Sequence, residues 1–437
     1  MVFRPELSWE FLSLDEINAK SVRAMRNHVR HLKEVSPYYR DQLRHIDPAA
    51  IQTLDDIQLL PLTEKQTLCE RTELFLATPP DHIVETVVTS GSTGKPLIFG
   101  MTGSDLDRLA FNEALCFYGA GVTQMDRVQL LVSLDRLFIA GMAYYRGLTN
   151  LGANTARVGV MPFEMQRQYL ELLRPTVLVG VPSFLRKLAQ DLLNQGFDTR
   201  NSGVERVVCI GESIRDESMQ LNALGRSIEE MWRAQVFSTY GSTELSVAYC
   251  ECTSQHGGHA HPELVYTEIV DEEGRPVEDG TPGELVATPL GVEGMPLLRY
   301  RTGDICFKMS EPCSCGRNAC RIGPVLARKS QMFKIRGTTV YPLAVTNALD
   351  EFEMIEDYVV LLEGDSSLSD QVTIHAAVSP VHVPAIADCL RAKARVSIPI
   401  LVSNVKTVES LRGPSRKKVR IVDKRVGSLS YETFEPK

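Results

Sequence analysis

The sequence predicts an α/β fold in which parallel sheets are covered by helices. Between Gly103 and Gly225, short apolar runs of strand character alternate with segments of helical periodicity. The strand-like runs are Val128–Val132, Thr155–Val160, Thr176–Gly180 and Arg206–Ile210, and the helical segments are Ser104–Gly119, Phe163–Leu173 and Pro182–Gln195. Such alternation is typical of βαβ units, whose parallel strands are buried on both faces. A chain of 437 residues is too long for one typical core, so we expect two or three domains.

The composition argues against several classes of protein. The apolar fraction of 43% is ordinary for a globular chain, and no apolar run reaches the length of a membrane span. A net charge of −8 argues against a general nucleic-acid binder. The first residues lack the basic and apolar regions of a signal peptide. We therefore expect a cytoplasmic protein without nucleic-acid or membrane partners. Its oligomeric state is left open, a homodimer included.

One stretch near residue 90 has the composition of a loop that wraps an anion. The segment from Val87 to Pro96 reads VVTSGSTGKP. Glycine permits close backbone approach, hydroxyls donate to phosphate oxygens, and lysine adds a positive charge. The segment is not a Walker A loop, because only two residues separate its first glycine from Gly-Lys. The alternative is an ordinary Gly/Ser turn, but the unbroken run of such residues favours phosphate.

Two segments have the pattern of a helix start. In Leu60–Lys65, Thr63 is the predicted N-cap of a helix that follows a turn. The second segment, Gly211-Glu212-Ser213, follows the strand-like run that ends at Ile210. Ligands of open α/β sheets sit at the carboxyl ends of strands, which makes Gly211 and Glu212 candidate nucleotide contacts. The alternative is a helix N-terminus capped by Ser213.

Two further segments place polar groups after predicted strands. Val236–Tyr240 runs into Gly-Ser-Thr-Glu at 241–244, where an aromatic ring and a carboxylate suit base stacking and Mg²⁺ binding. A capping box has a similar pattern and is the alternative. Asp304 suits a ribose diol, because a carboxylate accepts two hydrogen bonds. A turn aspartate beside glycine is the alternative there.

Cysteine and histidine cluster in two short windows. The first holds Cys250, Cys252, His256, His259 and His261, and the second holds Cys313, Cys315 and Cys320. Thiolate and imidazole ligands in a closed tetrahedral site select Zn²⁺ in a structural role. In a reducing compartment such clusters indicate metal more often than disulfides. Free cysteines near a loop are the alternative.

The order and spacing of these segments resemble a known family. The Ser/Thr/Gly/Lys loop, Tyr-Gly-Ser-Thr-Glu at 240–244, Arg-Tyr-Arg-Thr-Gly-Asp at 299–304 and a basic segment near residue 417 form one series. The series is similar to that of the adenylate-forming superfamily, which activates carboxylates with ATP. Pro-Cys-Ser-Cys-Gly-Arg at 312–317 resembles the phenylacetate–CoA ligase branch in particular. The resemblance runs from about Leu60 to Arg425.

The resemblance implies a role for each matching residue. The implied nucleotide contacts are Ser90, Gly91, Ser92, Thr93, Gly94 and Lys95 on the β- and γ-phosphates, Gly211 and Glu212 beside the adenine, Tyr240 stacked on it with Gly241 and Ser242 in the same motif, and Asp304 on the ribose. Thr243 and Glu244 would hold Mg²⁺ and the α-phosphate. Lys417 would reach over the carboxylate and the α-phosphate. Gly337 would line the path of the pantetheine arm.

The resemblance also implies an architecture of two domains. Residues 1–327 would form a large adenylation domain of parallel and mixed sheets with helices. Residues 328–437 would form a small mobile α+β domain, with Arg328 at the junction. Two departures from the family pattern are present: Ser330-Gln331 stand where an Asp pair is usual, and Arg416 stands where a glycine is usual. The second departure keeps Lys418 as a rival for Lys417.

The branch resemblance favours Cys252, His259, Cys313 and Cys315 as zinc ligands. Cys250, His256, His261 and Cys320 remain as reserves. The ion would have a structural role near the nucleotide site.

The implied reaction joins an aryl or related carboxylic acid to coenzyme A, with ATP/Mg²⁺ as the activating substrate. One alternative passes the acyl group to a carrier protein, or AMP to another acceptor. A more distant alternative is a non-catalytic, zinc-bearing binding protein. The expected acid pocket is Ser133–Gly141, in which Arg136 and Phe138 are the candidate substrate contacts. Asp135 and Arg136 are alternatively a structural ion pair.

Overall fold

The computed structural model describes residues 3–89, 97–135, 137–335, 338–364, 370–394, 396–413 and 419–425. The α-helices within these ranges are α1 Leu14–Val35, α2 Pro37–Gln42, α3 Leu54–Gln58, α4 Lys65–Glu70, α5 Thr72–Phe75, α6 Gly103–Gly119, α7 Ile139–Leu151, α8 Phe163–Leu173, α9 Pro182–Asn194, α10 Ala223–Trp232, α11 Pro342–Asp350, α12 Val383–Ala394 and α13 Val405–Arg412. The strands are β1 Glu85–Val88, β2 Ile98–Met101, β3 Arg127–Leu131, β4 Asn154–Arg157, β5 Val177–Gly180, β6 Arg206–Ile210, β7 Gln235–Ser242, β8 Val247–Glu251, β9 Gly258–His259, β10 Val265–Val270, β11 Gly283–Pro289, β12 Tyr300–Cys306, β13 Lys308–Met309, β14 Arg321–Ile322, β15 Ala327–Arg328, β16 Phe333–Ile335, β17 Thr338–Val340, β18 Asp357–Glu363, β19 Gln371–Ala377, β20 Ile400–Ser403 and β21 Ile421–Asp423.

The largest sheet of the described chain has the strand order β13-β14-β9-β8-β7-β6-β5-β3-β4. Strands β4, β3, β5, β6 and β7 run parallel, and β8, β9, β14 and β13 continue the sheet antiparallel. The four predicted strand runs correspond to β3, β4, β5 and β6, and the predicted bounds of β6 match those observed. The α/β fold with parallel strands is therefore confirmed.

Alternate residues of the parallel strands supply two separate cores. Val177 and Val179 of β5 pack with Phe117 and Leu148, on the side of α6 and α7. Leu178 packs on the opposite side, with α9 and α10. Side chains alternate between the two faces of a strand, so a continuous apolar run such as β5 is buried on both. This double burial fixes the strands whose carboxyl ends carry polar residues.

A second sheet lies against the N-terminal helices. Its strands are antiparallel, in the order β10-β11-β12-β15. The register between β11 and β12 shifts near Gly303, whose φ of 77° lies in the left-handed region. Glycine adopts this conformation without the Cβ clash of other residues, and the extra residues form a bulge. The bulge precedes Asp304 and changes the direction of its side chain.

The chain after Arg328 has a core of its own. A sheet of order β20-β19-β18-β21 packs with α11 and α12 around Val345, Val360 and Leu390. A small apolar cluster joins it to the larger part, where Tyr341 and Leu343 pack against Phe307 and Leu326, among others. The separate core agrees with the predicted α+β unit. The boundary itself and any domain motion stay predictions.

Helix α1 is started by a capping box. Ser13 accepts a hydrogen bond from the Glu16 amide, and the Glu16 carboxylate accepts one from the Ser13 amide. Its buried face includes Met25, His28 and Leu32. No described helix is both long and apolar enough to cross a bilayer.

The buried His28 makes the stability of the protein depend on pH. Its Nε2 lies 2.9 Å from the Leu297 carbonyl oxygen. Burial lowers the pKa of His28 to about 4, although the bond to Leu297 opposes the shift. The unfolded chain therefore binds a proton between about pH 6.5 and pH 4 that the folded chain does not. Stability contributed by neutral His28 is complete above this range and is lost as pH falls through it.

We expect this linkage to lower the free energy of unfolding by about 3 kcal/mol between pH 7 and pH 4. His28→Gln keeps a donor for Leu297 but cannot titrate, so its decrease should be smaller by that amount. Urea unfolding at several pH values measures the difference. Met25→Leu, a core variant of the same helix, should keep the wild-type pH dependence. Equal decreases in His28→Gln and the wild type would contradict the assignment.

Candidate active site

The carboxyl ends of β6 and β7 and the middle of β12 surround a cavity of about 430 Å³. The predicted site residues that line it are Phe138, Gly211, Glu212, Tyr240, Gly241, Ser242, Thr243, Glu244, Asp304 and Arg328. Ser90, Gly91, Ser92, Thr93, Gly94 and Lys95 lie outside the described residues, as do Arg136, Gly337, Lys417 and Lys418. The structure therefore brings together the residues predicted after β6, β7 and the bulge of β12.

Gly211 and Glu212 form the edge of the cavity after β6. Gly211 has a φ of 74°, and no atom lies within 4 Å of the position that a Cβ would occupy. The Glu212 carboxylate accepts hydrogen bonds from the amide and the hydroxyl of Ser183, at 2.9 and 2.8 Å, in the first turn of α9. Ser183 thereby fixes the direction of Glu212. The alternative role of Ser213 as a helix cap is wrong, because α10 begins only at Ala223, capped by Asn222.

Tyr240 and Asp304 are joined across the cavity. The Tyr240 hydroxyl donates to Asp304 Oδ2 at 2.8 Å, and Arg328 Nε lies 3.3 Å from Asp304 Oδ1. The pKa of Asp304 is raised overall. Burial is the main cause, and the Arg328 charge and the Tyr240 hydroxyl offset it only in part. Asp304 lies within strand β12, after the bulge, so the turn alternative for this residue is wrong. Its oxygens are oriented by groups from two other strands, β7 and β15.

Glu244 is a buried carboxylate of the cavity that has two close polar partners. Lys65 Nζ lies 3.0 Å from its Oε1, and the Ser242 hydroxyl donates to its Oε2 at 2.6 Å. Burial raises the pKa of Glu244, but Lys65 and Ser242 more than offset this effect and the pKa is lowered. Glu244 follows β7 in a turn without a helix, so the capping-box alternative is wrong. The carboxylate is therefore ionised at neutral pH and lines the cavity.

The sequence did not predict Lys65 as a site residue, because the neighbouring Thr63 was assigned the wrong role. The predicted N-cap role of Thr63 is wrong: helix α4 begins at Lys65, and Glu64 precedes it. Thr63 instead bridges in parallel to Tyr300, and its hydroxyl donates to the Leu298 carbonyl at 2.6 Å. This pairing brings Lys65 to Glu244, a residue 179 positions away. Only a long-range contact reveals the role of Lys65.

One end of the cavity has apolar walls. Phe138, Ile139 and Ala143 line it, from the start of helix α7. The expected acid-pocket segment thus contributes to the cavity through its last residues. Glu113 of α6 and Tyr144 of α7 are the polar side chains of this end.

Four predicted metal ligands converge near the cavity. The ligand atoms of Cys252, His259, Cys313 and Cys315 all lie within 4.8 Å of one another. Two thiolates at about 2.3 Å from a tetrahedral Zn²⁺ would be about 3.8 Å apart, and a thiolate and an imidazole nitrogen about 3.5 Å. The Sγ atoms of Cys252 and Cys313 are 3.7 Å apart, and Cys315 Sγ is 3.6 Å from His259 Nε2. The four residues therefore fit a closed tetrahedral zinc site.

The reserve ligands have other partners or positions. His261 contacts Glu10 through Nδ1 and Cys116 through Nε2, and Cys250 accepts a hydrogen bond from Thr239. His261 and Cys250 do not belong to the group of four ligands. His256 and Cys320 do not belong to it either. Glu10, which is fully buried, also pairs with Arg317. Arg317 in turn donates to Cys315 Sγ at 3.4 Å. Glu10 and Arg317 support the site and carry no ligand pattern that sequence reasoning could have used.

An open α/β sheet whose strand ends present an aromatic ring and carboxylates around one cavity is the arrangement of a nucleotide-binding enzyme. Comparison with known proteins defines the family. The profile of the AMP-binding enzyme family matches residues 16–292. The phenylacetate–coenzyme A ligase of Thermus thermophilus is 30% identical over 85% of this chain and 83% of its own length. The Escherichia coli enzyme of the same name is 27% identical, over 80% of both chains. The chain belongs to the family of AMP-binding, adenylate-forming enzymes, in the branch of the phenylacetate–CoA ligases.

A solved structure agrees in fold. The 2-hydroxyisobutyryl-CoA ligase in its postadenylation state, in complex with 2-HIB-AMP, superposes with a TM-score of 0.82 at 21% identity. The match covers 96% of this chain and 92% of that one. The predicted family and fold class are thus confirmed.

Proposed function

We propose that this enzyme activates a carboxylic acid with ATP and transfers the acyl group to coenzyme A. Family membership and the names of the relatives support the reaction class. The observation that carries the proposal is the convergence of Tyr240, Glu244 and Asp304 on one cavity with an apolar end. In the first step a carboxylate oxygen attacks the α-phosphorus of ATP, the bond to the bridging oxygen breaks, and pyrophosphate leaves. In the second step the thiol sulfur attacks the acyl carbon, its proton goes to solvent, and AMP leaves.

The adenosine part of ATP is assigned to Asp304, Tyr240 and Gly211. Asp304 would accept hydrogen bonds from the ribose hydroxyls, with the Tyr240 hydroxyl holding its orientation. The half-exposed Arg328 side chain has room to move away when the ribose binds. The open space beside Gly211 admits a planar ring.

The phosphates are assigned to the side of the cavity with Glu244. Its ionised carboxylate and the neighbouring Thr243 would hold Mg²⁺, which supplies charge neutralisation at the α-phosphate. Lys65 keeps Glu244 ionised and oriented. By family resemblance, the Ser90–Lys95 loop binds the outer phosphates and Lys417 neutralises charge at the reacting phosphorus.

The two steps need different occupants of the same space. Residues 328–437 are proposed as a mobile domain that carries Lys417 for the first step. Gly337 is proposed to line the pantetheine path in the second. The separate core of this part of the chain supports the division.

We also propose a structural zinc ion held by Cys252, His259, Cys313 and Cys315. The neighbouring Gly258 and Ile322 line the cavity. The ion would fix this wall of the cavity and leave no open coordination position for catalysis.

Tyr240→Phe should raise the Michaelis constant for ATP roughly 10- to 100-fold and change kcat little. The variant keeps the ring but removes a hydrogen bond to a charged group, a loss of about 1.5–3 kcal/mol. Steady-state pyrophosphate release at varied ATP measures both constants. Tyr358→Phe, which removes a hydroxyl from the separate C-terminal core, is the matched control and should leave the constant unchanged. An unchanged constant in Tyr240→Phe would remove the proposed role of its hydroxyl.

Lys417→Ala should slow acyl-adenylate formation by roughly 10²–10³, the loss typical of one preorganised donor. Given ready-made acyl-adenylate and CoA, the same variant should form thioester at close to the normal rate. ATP–pyrophosphate exchange and a thioester assay measure the two steps separately. Lys418→Ala is the matched control, and a defect there instead of in Lys417→Ala would move the role by one residue. Equal loss of both steps in folded Lys417→Ala would contradict the division of labour.

Protein purified without added metal should contain about one zinc per chain. The double variant Cys313→Ser, Cys315→Ser should lose the ion and melt at a lower temperature, because metal binding is coupled to folding. Elemental analysis and thermal unfolding are the measurements. Cys320→Ser, a cysteine outside the group of four, should retain the zinc. Absence of zinc from the wild type, or full occupancy in the double variant, would rule out the site.

A further inference from the structure

Glu113 is a buried carboxyl group in the wall of the cavity. It lies on α6, is 4% exposed, and lines the apolar end. No residue of the described chain forms a hydrogen bond or an ion pair with it. The other carboxylates of the cavity are all held: Ser183 binds Glu212, Lys65 binds Glu244, Tyr240 binds Asp304 and Arg215 binds Glu251. Glu113 is the exception among them.

The stem of Glu113 is fixed by the packing of two helices. Gly147 of α7 faces it so closely that a Cβ on Gly147 would lie 2.3 Å from the Glu113 Cβ. The close approach of the two helices keeps the Glu113 stem buried between them. Tyr144, one turn earlier on α7, lines the same end of the cavity. The carboxyl group is therefore buried beside the cavity, where a bound ligand can supply a partner.

Burial without a partner determines the protonation of this group. Desolvation raises the pKa of Glu113 to about 8. The carboxyl group is therefore largely neutral at pH 7, with a carbonyl oxygen that accepts and a hydroxyl that donates. An unpaired polar group at a buried site is energetically unfavourable. A ligand that supplies a hydrogen bond removes this penalty.

The following inference rests on the proposed function. We propose that Glu113 selects the acid by binding a hydroxyl or amino group at the far end of the acyl chain. The reacting carboxylate belongs at the other end, near Thr243 and Glu244. Phe138 and Ile139 line the space between, so the body of the acid is apolar. A second carboxylate at the far end is disfavoured, because it would meet an acidic group without a neighbouring cation in the described chain. The substrate class is a hydroxy- or amino-substituted aryl or alkyl acid.

The test compares acids that differ in one group. The probes are phenylacetate, its 3- and 4-hydroxy, 4-amino and 4-methoxy derivatives, and the aliphatic pair butyrate and 3-hydroxybutyrate. We measure kcat/KM by pyrophosphate release with the wild type, Glu113→Gln and Glu113→Leu. A site built to pair with a polar group rejects the analogue without it by roughly 10²-fold or more. We expect the wild type to prefer at least one donor-bearing acid over its unsubstituted and methoxy analogues by about that factor.

The variants separate recognition from structure. Glu113→Gln keeps a hydrogen-bonding side chain and should keep much of the preference. Glu113→Leu should reduce it to within about threefold. Asp107→Asn, which alters an exposed carboxylate of the same helix, should match the wild type. Melting temperatures check the fold of each variant. If Glu113→Leu does not fold, the wild-type preference and Glu113→Gln still decide.

Two results would contradict the inference about Glu113, and a third would also contradict the proposed function. If the wild type adenylates acids but shows no preference for those that carry a donor, the inference about Glu113 is wrong and the proposed function still stands. The same holds for a preference that survives intact in folded Glu113→Leu. No exchange or pyrophosphate release with any acid of the panel contradicts the proposed function, and this inference falls with it.

Discussion

The geometry of the site depends on one buried guanidinium. Arg299 is 2% exposed, and its five N–H donors all have acceptors: the two oxygens of Glu268 and the carbonyls of Gln58, Leu60 and Gly274. Its own carbonyl accepts the amide of Thr63. One side chain thus fastens the antiparallel sheet to the segment that leads into α4. Removal of one partner would destabilise the protein by about 3–5 kcal/mol, because the other charge would be left buried and unpaired. Lys65 reaches Glu244 because of this fastening, and Asp304 follows five residues after Arg299.

A second group of buried polar contacts stabilises the opposite wall of the cavity. Glu10 of the N-terminal segment is buried between His261 and Arg317, and Arg317 contacts the thiol of Cys315. The proposed zinc ligands lie on β9, on the chain before it and on the turn at 313–316. All of them are at the antiparallel edge of the large sheet. The parallel strands are held by continuous apolar burial, but this edge consists of two-residue strands with little core of their own. Polar contacts, together with the proposed zinc ion, take the place of hydrophobic burial at this edge.

The sequence predicted what is local and failed where distant contacts decide. Strand β6 and helix α8 have their predicted bounds, because apolar runs and helical periodicity are local properties. Tyr240, Glu244 and Asp304 were predicted because they belong to short motifs that follow one another in a recognisable order. Thr63 was misread as a cap, since its bridge to Tyr300 competes with the local pattern and has no sequence signal. Lys65, Glu10 and Glu113 were missed for the same reason: each is an ordinary charged residue until the fold gives or denies it a partner.

The distribution of charge along the cavity explains how one site orients two substrates. At one end Lys65, Arg328 and hydroxyl donors compensate Glu244 and Asp304, so this region tolerates the negative charge of a nucleotide and the cation that accompanies it. At the other end no cation among the described residues pairs with Glu113, and burial keeps it mostly neutral. A carboxylate entering the cavity is therefore electrostatically favoured only at the compensated end. The acid must place its charged group towards the phosphates and its body towards α6 and α7. Orientation thus follows from charge compensation before any specific contact to the acyl chain is made.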